Sequence, residues 1–443
     1  MTRQRRISLL LALLLAPVLL VAGGVLVLEG APQEPDSSSP AAAVVGPEQL
    51  EGGADLTASI AALQDRLRSR PEDDAGWASL GFAYVAQARR TADPTFYDRA
   101  ADALATSLEL RPDDNADALT GQAALANARH AFAEGRDLAQ RAVVIDPYDS
   151  TGHGVLSDAL LGLGDFEAAL DALDAMLALK PGVPAFTRVS YTYELRGDTE
   201  NAAYALQRAL DISTTPADES FALLYLGDLA FHSGDYPTAE EHYAEGLRRD
   251  PGQVALRASQ ARLLAAQGEV DAALERYADL VQRLPQPSYL VEYGELLDSV
   301  GRTEEAAEQF AVADAASALF EESGALQDVE VVLYHADHGR PEQALEIAEQ
   351  QYATRTSVDV EDALAWALHA NGRDAEALEH ALAAQSLGTR NALWDYHRGM
   401  IQLSLGLVDE GRASLELALE TNPGFSPLHA PLARQALAQN ESG

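Results

Sequence analysis

Small and apolar residues along this chain fall on helical faces that come in pairs. Around Gly234, the residues Leu223, Leu226, Gly227 and Ala230 share one helical face; Tyr236, Ala239, Tyr243 and Gly246 share a face of the next helix, which Pro251 ends. The glycine between the two helices recurs as Gly164, Gly197, Gly234, Gly268, Gly301, Gly339, Gly372 and Gly406, in steps of 33 to 38 residues. A period of about 34 residues predicts helix–turn–helix units stacked into a solenoid. Each unit needs a permissive residue at its turn, small residues where the helices cross, and a proline where the second helix stops.

The register holds over most of the chain. The unit near Val254 supplies Ala261, Gly268, Ala273, Tyr277 and Pro285, and the next supplies Tyr293, Gly294, Gly301, Ala306, Phe310 and Ala313. The unit near Ser150 supplies Leu156, Gly164, Phe166, Ala169 and Pro181, and the last supplies Gly399, Gly406, Leu415, Ala418 and Pro423. The first opens on Trp77, Leu80, Gly81 and Tyr84, then carries an insertion around Ala92-Asp93-Pro94-Thr95. Departures mark irregular joints. The second unit has His130 at the turn position, and units seven to nine have Ala318, Thr356 and Thr389 where the terminal proline belongs. The long step after Gly301 predicts a longer second helix, about Thr303 to Glu322. Ten units are expected over 74–425, between an N-terminal capping helix in 55–73, with Leu56, Ile60, Leu63 and Leu67 on one face, and a C-terminal capping helix in 426–443. Solenoids need such caps because an open end exposes apolar surface.

These motifs resemble the tetratricopeptide repeat family. The resemblance implies an all-α solenoid, a right-handed superhelix of about ten repeats whose concave groove binds proteins or peptides. The run from about Leu56 to Ala436 further resembles exported bacterial repeat proteins, through Arg90-Thr91-Ala92-Asp93-Pro94, Asp362-Ala363-Leu364-Ala365-Trp366-Ala367-Leu368 and Asn422-Pro423-Gly424-Phe425-Ser426-Pro427. The stretch Ala61 to Ala83 is similar to the periplasmic repeats of cytochrome c maturation factors.

Composition narrows the partner. The net charge is −38, from 31 basic against 69 acidic residues. That argues against nucleic acid, whose phosphates need a basic surface, and against broad contact with anionic lipid. With no cysteine, disulfides, thiolate zinc sites and a lipoprotein anchor are excluded. At the N-terminus, Arg3, Arg5 and Arg6 precede an uncharged run from Ile7 to Leu28, and Glu29, Glu34 and Asp36 follow it. Segment 1–28 therefore reads as a signal anchor or, alternatively, a signal peptide cut near Val21-Ala22-Gly23; either places the body outside the cytoplasm. Segment 29–54, with its prolines, serines and Gly52-Gly53, reads as a flexible tether.

In the resembled family the groove is lined from the first helix of each repeat. Counting along the register assigns Tyr191, Glu194, Asp228, Phe231, Arg262, Glu295, Asp298, Trp366, His369, Tyr396 and Met400 to it. This acidic, aromatic set lacks the family's clamp of lysines and asparagines for a terminal carboxylate. It suits an extended peptide with basic or apolar side chains. No phosphate loop or nucleophile elbow is present. His335-Ala336-Asp337-His338 is read as turn chemistry rather than a metal site, and Arg196-Gly197-Asp198 as a repeat turn rather than an adhesion signal. The expected function is a non-enzymatic, membrane-tethered scaffold without cofactor. The alternative is an assembly chaperone for an exported or membrane complex, as in cytochrome c maturation.

Overall fold

The computed structural model describes residues 56–91, 93–326 and 329–440, all within one compact unit, Val44–Gly443. The expected anchor (1–28) and tether (29–54) lie outside the described residues. Among the described residues no helix is long and apolar enough to cross a membrane.

The described residues form 22 helices and no strand. The first, α1 (Leu56–Ser69), buries Leu56, Ile60, Leu63 and Leu67. Ten helix pairs follow, each with a first (A) and a second (B) helix. They are α2 and α3 (Asp74–Thr91, Thr95–Leu110), α4 and α5 (Ala116–Ala128, Phe132–Ile145), α6 and α7 (Ser150–Leu163, Phe166–Leu179), α8 and α9 (Val183–Glu194, Thr199–Ile212), and α10 and α11 (Pro216–His232, Tyr236–Arg249). The second five are α12 and α13 (Val254–Ala266, Val270–Arg283), α14 and α15 (Pro287–Ser299, Thr303–Glu322), α16 and α17 (Val329–Asp337, Pro341–Tyr352), α18 and α19 (Val358–Ala370, Asp374–Ala384), and α20 and α21 (Ala392–Ser404, Val408–Thr421). The last helix is α22 (His429–Gln439).

The local chemistry explains the pairing. At Gly227 an added Cβ would meet the Tyr243 ring at 2.3 Å, so only glycine lets α10 and α11 approach this closely. The turn glycines adopt left-handed φ, from +67° at Gly197 to +84° at Gly268, which ends each A helix and satisfies its last carbonyls. His130 takes the glycine's place with φ +60°. Asp165, Asp198 and Asp235 then cap the B helices by accepting from the N–H groups of Ala168, Asn201 and Thr238.

The array is wound tightly enough for its second five repeats to lie against its first five. Each A–B turn of repeats 2 to 5 meets the loop that follows the repeat five places later. Leu326 N–H donates to the Arg129 carbonyl at 3.0 Å, and Thr356 N–H to the Leu163 carbonyl at 3.4 Å. Thr389 Oγ1 donates to the Leu195 carbonyl at 2.7 Å. Asn422 Nδ2 donates to the Phe231 carbonyl at 2.9 Å, and Asn422 Oδ1 lies 2.6 Å from the Tyr236 hydroxyl. Between these bonds the seam is apolar and aromatic: Phe166, Leu170 and Leu195 pack with Val358 and Leu387, and the Arg355 guanidinium sits 5.2 Å from the Phe132 ring centre.

The seam accounts for the missing prolines. Thr356 supplies an N–H and Thr389 a hydroxyl that proline lacks, while Ala318 lies inside α15, which runs on past the usual stop. The seam does not continue beyond repeat 5. Gly268, Gly301, Gly339, Gly372 and Gly406 have nothing within 4 Å of an added Cβ, because no later repeat among the described residues covers them.

Candidate functional site

The A helices carry a ladder of carboxylates along the inner wall, most of them held by the neighbouring repeat. Ser190 Oγ donates to Glu194 at 3.2 Å. Asp228 accepts from the Tyr243 hydroxyl at 2.7 Å and from Ser259 at 2.9 Å. Glu292 accepts from Arg262 and from the Tyr277 hydroxyl, both at 2.7 Å. His338 Nε2 lies 3.3 Å from Glu295. Asp337 accepts from Trp366 Nε1 at 2.8 Å and has His429 Nε2 at 3.2 Å. Asp362 faces His397 Nδ1 at 2.9 Å. Satisfied in this way, these mostly half-buried acids tie neighbouring repeats together.

Electrostatics follow from this packing. Burial, with the charge of Asp228 added, pushes Glu194 up to about 7 despite the Ser190 hydrogen bond. Burial raises Tyr225, and the charges of Asp228 and Glu194 push it the same way. Burial lowers His232. Tyr225 is nonetheless 40% exposed and His232 is exposed. The Glu292 carboxylate holds Arg262 well above its ordinary value, and burial followed by Glu292 raises Tyr277.

Between the inner wall of the last five repeats and the C-terminal segment lies a cavity of about 610 Å³. Its walls include Arg262 and Ala266 from α12, Val291, Glu292 and Glu295 from α14, Val331 and Asp337 from α16, Leu393 and His397 from α20, and Phe425, His429 and Arg434. Gly424 closes the ring: its N–H donates to the Tyr236 hydroxyl at 2.8 Å, and its Cα lies beside Ala266. The volume is that of a small-ligand or side-chain pocket, with an apolar lining and a few convergent polar groups.

The residues assigned to the groove from the register separate into three sets. Arg262 and Glu295 line the cavity. Tyr191 (49% exposed), Glu194 and Asp228 lie on the A helices α8 and α10, away from it. The third set is corrected. Phe231, Trp366 and Tyr396 are 2%, 7% and 1% exposed, so they pack between repeats instead of offering anchors. Trp366 stacks on His397 at 4.2 Å, and Tyr396 is covered by Phe425 and His429. Met400 is half-buried in the same cluster, His369 pairs with Asp374 at 2.5 Å, and Asp298 is exposed outside the cavity wall. The counting missed Glu292, Tyr334, His397 and His429. The first three needed the depth of the superhelix, and His429 needed the fold-back of the C-terminal segment.

The two tempting motifs resolve locally. His335 is buried and lowered to about 4 by burial and by Arg340, and Asp337 is engaged by Trp366 and His429. Among the described residues no three potential ligands gather around a metal position. Gly197 sits under the Gly388 carbonyl, Asp198 caps α9, and Arg196 covers the Phe166 ring, so the tripeptide is spent on the seam.

Residues 155–219 and 230–290 match two sequence families, each described as tetratricopeptide repeat. No curated protein matches the chain in sequence. Among solved structures the chain is similar to a thermophilic tetratricopeptide protein of Thermus thermophilus, at 24% identity over 38% of this chain and 91% of that one, with a TM-score of 0.36. It is also similar to PilF of Pseudomonas aeruginosa, at 19% identity over 47% and 96% with a TM-score of 0.37. Yeast Tom70 is similar at 14% identity over 87% and 86%, with a TM-score of 0.38.

Proposed function

Since the chain is a tetratricopeptide-repeat protein, we propose that it is an interaction scaffold whose inner wall binds an extended peptide segment of a protein partner. The observation that carries this reading is the cavity of about 610 Å³, apolar in its lining and bordered by Glu292, Glu295, Glu330 and Asp337 against two guanidiniums, Arg262 and Arg434. Such a wall favours apolar and basic groups over acidic ones. The half-exposed Tyr191 and Tyr225 extend the same character along the earlier repeats.

The site of action proposed is outside the cytoplasm, with residues 1–28 as a signal anchor or signal peptide and residues 29–54 as the tether. The support is the cationic start, the uncharged run and the acids that follow it. The test is crosslinking in native cells, with identification of the captured protein, repeated with Val291→Trp and with Tyr191→Ala/Tyr225→Ala. Both variants should keep wild-type helicity and lose the partner. A partner retained by both would overturn the inner-wall assignment.

A further inference from the structure

The seam inside the chain has a turn side and a loop side, and the apolar positions of both recur uncovered elsewhere in the array. On the turn side, Phe166 and Tyr236 stand two residues after their turn glycines, Gly164 and Gly234. Phe166 packs with Leu387 of the loop side, which stands two residues before Thr389, the terminal-proline position. Val408 holds the place of Phe166 in repeat 10 and is exposed together with Leu405, and Val300 is exposed at the turn of repeat 7. Leu110, Ile145, Leu179 and Ile212 hold the place of Leu387 in repeats 1 to 4, and the first three are exposed. In repeats 5 and 6 that place is taken by Arg249 and Arg283. The two ends of the array are incomplete in complementary ways. By register α1 is a B helix, since Pro71 stands between it and α2 as Pro112 stands between α3 and α4. By the same register α22 is an A helix, entered after Pro423 as α12 is entered after Pro251. The described array thus opens on a B helix without its A helix and closes on an A helix without its B helix. In a chain of net charge −38, α22 carries no acidic residue and exposes Leu432.

From this register we infer that a second copy of the chain continues the array, stacked head to tail. α22 of one copy pairs with α1 of the next and completes an eleventh repeat. The spacing of five repeats that the seam keeps inside the chain then sets the turns of repeats 7 to 10 against the loops after repeats 1 to 4 of the next copy. Those are the loops that carry Leu110, Ile145, Leu179 and Ile212, whereas the loops that carry Arg249 and Arg283 stay in water. A turn side meeting a loop side is a heterologous contact, so each end of a stack keeps one free side and growth continues. Burial of the apolar positions drives the contact. Repulsion between two copies of charge −38 opposes it and is screened by salt. The inner wall takes no part in this contact, so the inference stands or falls apart from the peptide-binding reading.

The test is sedimentation velocity on the full chain in detergent micelles, over a range of protein concentrations at low and at high salt. The average mass should climb with concentration past two copies, and more steeply at high salt. Ile145→Asp/Leu179→Asp spoils the loop side, and Leu405→Asp/Val408→Asp spoils the turn side. All four positions are exposed, so each variant should keep the wild-type Tm and sediment alone as a monomer. Mixed one to one, the two variants should form a complex of two copies that grows no further, because each supplies the side the other has lost. A mixture that stays monomeric would overturn the inference. Association that survives both variants would place the contact elsewhere on the chain and overturn it too. Loss of association in only one variant would mean that a single face meets itself, which contradicts head-to-tail stacking. A wild-type chain that stays monomeric at every concentration and salt would likewise overturn it, and would leave the two sides to another protein.

Discussion

At the scale of single residues, the repeat's turn glycines do two different jobs. Gly197 has φ +67°, and an added Cβ would stand 2.3 Å from the Gly388 carbonyl oxygen; Gly372 has φ +72° with open space around it. Gly372→Ala should cost only the left-handed penalty, about 1–2 kcal/mol. Gly197→Ala should cost that and the displacement of the seam, about 3 kcal/mol or more in total. Thermal unfolding of the two variants checks the difference, and equal losses would mean that the seam is not formed. Glu194 offers a second test. Its carboxyl is raised by burial to about 7 from 4.5. In that window the folded state holds more protons than the unfolded state, so this group's contribution makes stability fall as pH rises. Glu194→Gln should therefore exceed the wild type by about 1–2 kcal/mol at pH 8 and match it near pH 4, in denaturant titrations at both pH values.

At the scale of elements, helices were far easier to read than their neighbours. The small residues, turn glycines and terminal prolines are local chemistry, and they placed the pairs around Gly234 and the long α15, Thr303–Glu322. Contacts between repeats five places apart leave a weaker trace. They appear only as departures, in Thr356 and Thr389 standing where proline recurs and in aromatic Phe132, Phe166 and Tyr236 opening their B helices. For the same reason Trp366 and Tyr396 looked like groove anchors: their register faces inward, and what covers them is the fold-back of Phe425 and His429. Asn422 joins the last repeat to repeat 5 through the Phe231 carbonyl and Tyr236, and is 2% exposed. Asn422→Ala should cost about 2 kcal/mol, the usual loss when a buried carbonyl and hydroxyl lose their partner. Hydrogen exchange should then quicken at Gly424 N–H, which donates to both Tyr236 and Asn422. Unchanged protection there would show that the seam does not depend on this residue.

At the scale of the whole molecule, winding decides what the array can bind. An open solenoid offers an extended concave face to partners, whereas here the loops after repeats 7 to 10 close on the turns of repeats 2 to 5. The net charge of −38 opposes winding by self-repulsion, so closure rests on the seam's hydrogen bonds and on its apolar packing. The most direct test is a distance across the seam. The chain contains no cysteine, so Arg196→Cys with Arg390→Cys carries two spin labels and nothing else. An added Cβ on Gly197 would lie 3.1 Å from Arg390 Cγ, so the two labels should sit close enough for strong dipolar broadening in continuous-wave electron resonance. Spectra without broadening would contradict the wound array.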